Sequence, residues 1–175
     1  ERLAQIAKTN QFKLISSNVV EESSGKSPEY FSDELILDAP YDLKIGLLGI
    51  TPTETPNLAT KESVAGLSFQ NPKDILKKKV DSLRAKGADI VALLTQYNKE
   101  YITAEEWLAI ASASPDICFM LDSDIEAPIP FAKDGVIIYT ISSYNQTKEI
   151  DFLNLEITKK RPIEIVGLSS KRIAT

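Results

Sequence analysis

The chain of 175 residues contains no histidine and only one cysteine, one methionine and one tryptophan. Without imidazole it lacks the side chain that titrates near neutral pH, and with it the most frequent general acid–base group. The same absence removes the ligand best suited to borderline-soft metal centres. The single cysteine, Cys118, excludes an internal disulfide; Ile117, Phe119 and Met120 around it place it on a buried strand, as a small hydrophobe. No run is apolar enough for a membrane span, and no signal peptide is recognisable. Basic residues are few: 20 against 25 acidic, a net charge of −5. That balance argues against a nucleic-acid partner, which clustered Lys and Arg would serve. The one basic run, Lys77-Lys78-Lys79, lies between Asp74 and Asp81 and reads as a solvated helix face.

What is present fits one globular domain over residues 1–175, with 43% hydrophobic residues and enough length to bury a core unaided. Because the chain opens on Glu1, a mature or trimmed form is expected. Leu3, Ile6 and Ala7 share a helical face, and Phe12 to Val20 reads as a short strand. Glu21 to Phe31 is polar and reads as a loop, and Leu35–Leu37 as a brief strand stopped at Ala39-Pro40. Leu43–Ile50 is apolar almost throughout, as a strand buried on both faces is, and runs into a rigid turn over Thr51–Pro56. Asn71-Pro72 is a helix start, Ile75, Leu76, Val80 and Leu83 its inward stripe, and Gly87 its stop. Asp89–Leu94 and Asp116–Leu121 are two more buried strands. Between them Thr103 and Glu106 form a capping box for a helix through Trp107, Leu108 and Ile110. Three strands without helices follow, Gly135–Ile141, Asp151–Ile157 and Pro162–Gly167. Strand–helix alternation followed by consecutive strands predicts an α/β fold.

In parallel α/β sheets ligands bind beyond the carboxyl ends of the strands, which selects the loops Thr51–Thr60, Thr95–Tyr101 and Asp122–Pro130. Three segments here carry a family resemblance: Lys44 to Thr55 (KIGLLGITPTET), Phe69 to Leu76 (FQNPKDIL) and Leu83 to Val91 (LRAKGADIV). They resemble, in order and spacing, the 5′-nucleotidase branch of the calcineurin-like metallophosphoesterases. The opening helix with Phe12–Val20, the Asp116–Leu121 strand, Ile141–Tyr144 and Phe152–Leu155 extend the similarity over most of the chain. The resemblance implies part of an α/β/β/α sandwich with mixed sheets, and export from the cytoplasm.

The departures from that family's pattern fall on its metal ligands. Its early ligand motifs would precede Glu1. Where it reads L-S-H-L-G, this chain has Leu94-Thr95-Gln96-Tyr97-Asn98. Where it reads G-G-H-S-H, this chain has Met120-Leu121-Asp122-Ser123-Asp124. Gln96, Asp122 and Asp124 therefore stand at the places of ligand histidines, and a two-cation phosphoryl clamp loses those ligands.

Gln96, Asp122 and Asp124 are candidates for a calcium or magnesium site, since hard cations take oxygen ligands, against the reading that they are polar strand-end residues. Asp122, Asp124 and Glu126 also form an acidic cluster of the kind that can do acid–base work. Thr51, Thr53 and Thr55 are candidates for contacting a phosphate, but the segment lacks a cradle's glycines. Tyr97, Asn98, Ser143 and Tyr144 complete the candidate ligand loops. Tyr97, Tyr101 and Trp107 are candidates for stacking a base, with core packing the plainer reading for Trp107. Gly46 and Gly49 are expected to allow close strand–helix packing. The expectation is a non-catalytic domain without a cofactor, used structurally or to bind another protein chain. Its alternatives are a hydrolase completed by an upstream segment or partner, and a metal-free nucleotide-binding module.

Overall fold

The computed structural model describes residues 2–98, 102–122, 130–142, 149–158 and 163–174. Four strands run parallel at its centre: β3 (Leu43–Ile50), β5 (Ile90–Asn98), β6 (Ile117–Asp122) and β8 (Val136–Ser142). Two antiparallel strands, β2 (Leu35–Ala39) and β7 (Phe131–Lys133), flank them, giving a mixed six-stranded sheet in the order β2-β3-β5-β6-β8-β7. The near-continuous apolar runs of the inner strands follow from burial on both faces.

Two helices cover one face. In α4 (Pro72–Ala85) the Asn71 side chain accepts from the Lys73 backbone N–H, and Leu76, Val80 and Leu83 are buried at helical spacing. Gly87, with φ +91°, follows the helix in the conformation glycine adopts without strain. Helix α5 (Ala104–Ala113) opens on the complete Thr103–Glu106 capping box and ends on Ser114 in the left-handed region. The two helices pack against each other and bury Leu48, Leu93, Cys118 and Ile138 of the sheet beneath them.

A second sheet covers part of the opposite face. It is a hairpin of β9 (Glu149–Ile157) and β10 (Ile165–Ala174), whose Leu153, Leu155, Ile157 and Ile165 pack on Ile90, Ala92 and Ile117. Helices, mixed sheet and second sheet thus form three successive layers of the expected sandwich. A further two-stranded ribbon joins β1 (Val19–Glu21) to β4 (Leu67–Phe69).

Several expectations are corrected. The strand expected over Phe12–Val20 is reduced to its last residues, with a lone bridge at Ile15. The polar groups of Ser16-Ser17-Asn18 are buried there, and Ser17 and Asn18 serve neighbouring backbone instead of a ladder. In α1 (Arg2–Asn10) Ala7 is buried but Ile6 is 42% exposed, so Ile6 does not belong to the inward stripe. The rigid turn after β3 contains the start of a one-turn helix, α2 (Thr55–Leu58), and a second, α3 (Lys61–Val64), follows it. The strand after α4 continues four residues beyond Leu94, to Asn98, and β10 runs on to Ala174. Gly46 packs under Leu83 and Ala88 as expected, whereas Gly49 faces the Ile15 carbonyl, 2.6 Å from where a Cβ would sit.

Of the basic run, Lys77 and Lys78 are exposed as expected, whereas Lys79 is only partly exposed. Lys77 pairs with Asp81 on the same helix, and Lys79 reaches Asp33.

Candidate functional site

Sheet register brings the candidate residues to one edge. Ile50 of β3 lies opposite Thr95 of β5, Asn98 opposite Leu121 of β6, and Asp122 opposite Ser142 of β8. The carboxyl ends of all four parallel strands therefore converge where α/β sheets bind ligands. Asp124, Glu126, Ser143, Tyr144 and Tyr101 lie outside the described residues.

The end of β5 is irregular. From Leu94 to Asn98 it advances four residues while β6 advances two, from Phe119 to Leu121. The surplus is a bulge holding Thr95, Gln96 and Tyr97, and a bulge re-aims the side chains on it. Thr95 is fixed by its hydroxyl, which donates to the Phe119 carbonyl at 3.0 Å. Gln96 is exposed. Tyr97 turns into the helix-covered core with 5% of its surface exposed, so it presents no ring for stacking. Burial raises its phenol above the ordinary value, and the nearby Glu106 and Glu54 carboxylates push the same way.

The first loop is held from below by Asn18, which is fully buried. Its amide donates to the carbonyls of Thr51 (2.7 Å) and Gln70 (3.1 Å) and its oxygen accepts from the Thr51 N–H (2.9 Å). Ser17 does the same one step earlier: its hydroxyl accepts from the Gly49 N–H and donates to the Asp33 carbonyl. The backbone polar groups of Thr51 are therefore committed within the protein. The Thr55 hydroxyl donates to the Pro52 carbonyl at 2.7 Å and closes the turn, and Thr53 is half-buried beside it. Reading the sequence missed Asn18 and Ser17; the signal was three polar residues abutting the apolar Val19-Val20.

Trp107, half-buried on α5, packs against the core as expected. Its indole N–H donates to Asp134, and the Lys133 ammonium sits 4.3 Å from the ring centroid. Lys133 covers one face of the ring, and Trp107 is partly buried against the core.

Between β3 and β5 this edge holds a cleft of about 160 Å³, lined by Thr51, Leu94, Thr95 and Gln96 with Ile15 and Gly49 behind. Drug-sized ligands occupy pockets of about 300–1,000 Å³, so the cleft is small for a nucleotide. Among the described residues no three Asp, Glu or Cys side chains converge as a metal-binding group.

No protein-family model matches the chain. In sequence it is similar to a 5′-nucleotidase of Vibrio cholerae, with 29% identity over 85 residues, 48% of this chain and 15% of that protein. In structure it is similar to a sulfate thiohydrolase of Thermus thermophilus, with a TM-score of 0.77 and 19% identity. That match covers 99% of this chain and 30% of the other. A 5′-nucleotidase precursor, also of Thermus thermophilus, matches with a TM-score of 0.68 and 15% identity, over 98% of this chain and 35% of that one. The calcineurin-like phosphoesterase YfkN of Bacillus subtilis matches at 0.67 and 16%, over 93% and 56%. The chain has the calcineurin-like phosphoesterase fold. It resembles 5′-nucleotidases, as its motifs imply, and spans 15% of the Vibrio cholerae protein and 30–56% of these solved structures.

Proposed function

We propose that this chain is a non-catalytic 5′-nucleotidase-like domain, a single unit over residues 1–175 that serves as a structural or protein-interaction module. The observation that carries the reading is Gln96. Where the resemblance calls for a ligand imidazole, the chain places an exposed amide on a bulge. An amide oxygen is a hard, neutral donor and a poor substitute for imidazole on a borderline-soft cation. Asp122 ends the neighbouring strand at a second of the three ligand positions, Asp124 stands at the third, and no histidine exists anywhere in the chain to replace them. These losses lie inside the chain and hold whatever adjoins it. The donor set does not fit the two-cation centre that the family likeness implies, and no hydrolytic step is derived through one.

Two further features favour a module that meets another protein. The core under α4 and α5 is fully built, with Leu48, Leu83 and Leu93 sealed from solvent. At the candidate edge Leu94 and Ile141 remain 38% and 39% exposed. By strand alternation they lie on the sheet face that the β9–β10 hairpin covers further down, and their exposure supports a protein neighbour at that edge. No helix among the described residues is long and apolar enough to cross a membrane. An extracytoplasmic location and the absence of a nucleic-acid partner belong to the same proposal, the latter in keeping with the net charge of −5.

Equilibrium dialysis of the purified chain against Mn²⁺, Zn²⁺, Ca²⁺ and Mg²⁺ tests it. The expected result is no tightly held Mn²⁺ or Zn²⁺. Two equivalents of either per chain would overturn the reading, and a single weak Ca²⁺ or Mg²⁺ lost on Asp122→Asn would place a hard-ion site at that strand end.

A further inference from the structure

We draw no further inference here: the strongest candidate, the open groove of about 650 Å³ between α1 and the Glu29–Ser32 turn, where Phe12 and Tyr30 lie exposed beside Lys8 and Lys13, is an aromatic-lined surface for which nothing in the structure shows what covers it.

Discussion

Asn18 occupies a position that no apolar residue of similar size can fill. Its three hydrogen bonds tie the segment before β1 to the end of β3 and to the residue before the Asn71 cap of α4. Replacing it by alanine leaves the Thr51 N–H and two carbonyls without partners in a part-buried setting, where an unsatisfied group costs up to about 1–3 kcal/mol. Asn18→Ala is therefore expected to lower the unfolding free energy by about 2–4 kcal/mol in urea titrations, with an unchanged m-value. Gln96→Ala, by contrast, removes an exposed side chain and belongs to the class of surface changes that stay within about 0.5 kcal/mol. A second residue-scale expectation concerns Cys118. Burial pushes its thiol up to about 12, because the fold disfavours the thiolate. The unfolded thiol ionises near pH ~8.5, so its contribution to stability is complete below that pH and is lost as pH rises toward 12. At a pH of about 8, just below that ionisation, a thiol reagent should leave the native chain unmodified and label it rapidly in denaturant. Fast labelling of the native chain would contradict the buried strand position.

At the scale of elements, the capping box is the clearest local determinant. The Thr103 hydroxyl accepts from the Glu106 N–H, and the Glu106 carboxylate returns to the Thr103 N–H at 2.9 Å. Lys73 of α4 pairs with Glu105 in the same first turn, which raises the lysine and lowers the carboxylate relative to their ordinary values. Both partners are more than half exposed, so the pair adds little and weakens with salt. Thr103→Ala should cost about 1 kcal/mol, read as a lowered denaturation midpoint. Such caps are why α4 and α5 are legible in the sequence nearly to the residue, as is β3 from its unbroken apolar run. The misplaced elements share a different cause. Ser16-Ser17-Asn18 hydrogen-bonds the backbone of other segments, which alternation of apolar residues cannot anticipate. The extension of β5 passes through a bulge that breaks period 2 at Thr95–Tyr97. Strands β4 and β7 have three residues each, too short to leave a pattern.

The molecule as a whole sets a sheet edge of the kind that binds ligands onto a complete core. That edge was readable beforehand, because parallel strands dictate it, and Gln96 and Asp122 do stand at its strand ends. What the sequence concealed was the commitment of the surrounding groups: Thr51 to Asn18, Thr95 to Phe119, and Tyr97 to the core. These come from long-range hydrogen bonds and packing, which spacing along the chain does not encode. The most direct test of the central claim is the rate of phosphate release from a 5′-nucleoside monophosphate with excess Mn²⁺, measured on the purified chain with folding verified by circular dichroism. The account predicts a rate indistinguishable from the buffer blank. Saturable, chelator-sensitive turnover by the folded chain would contradict it.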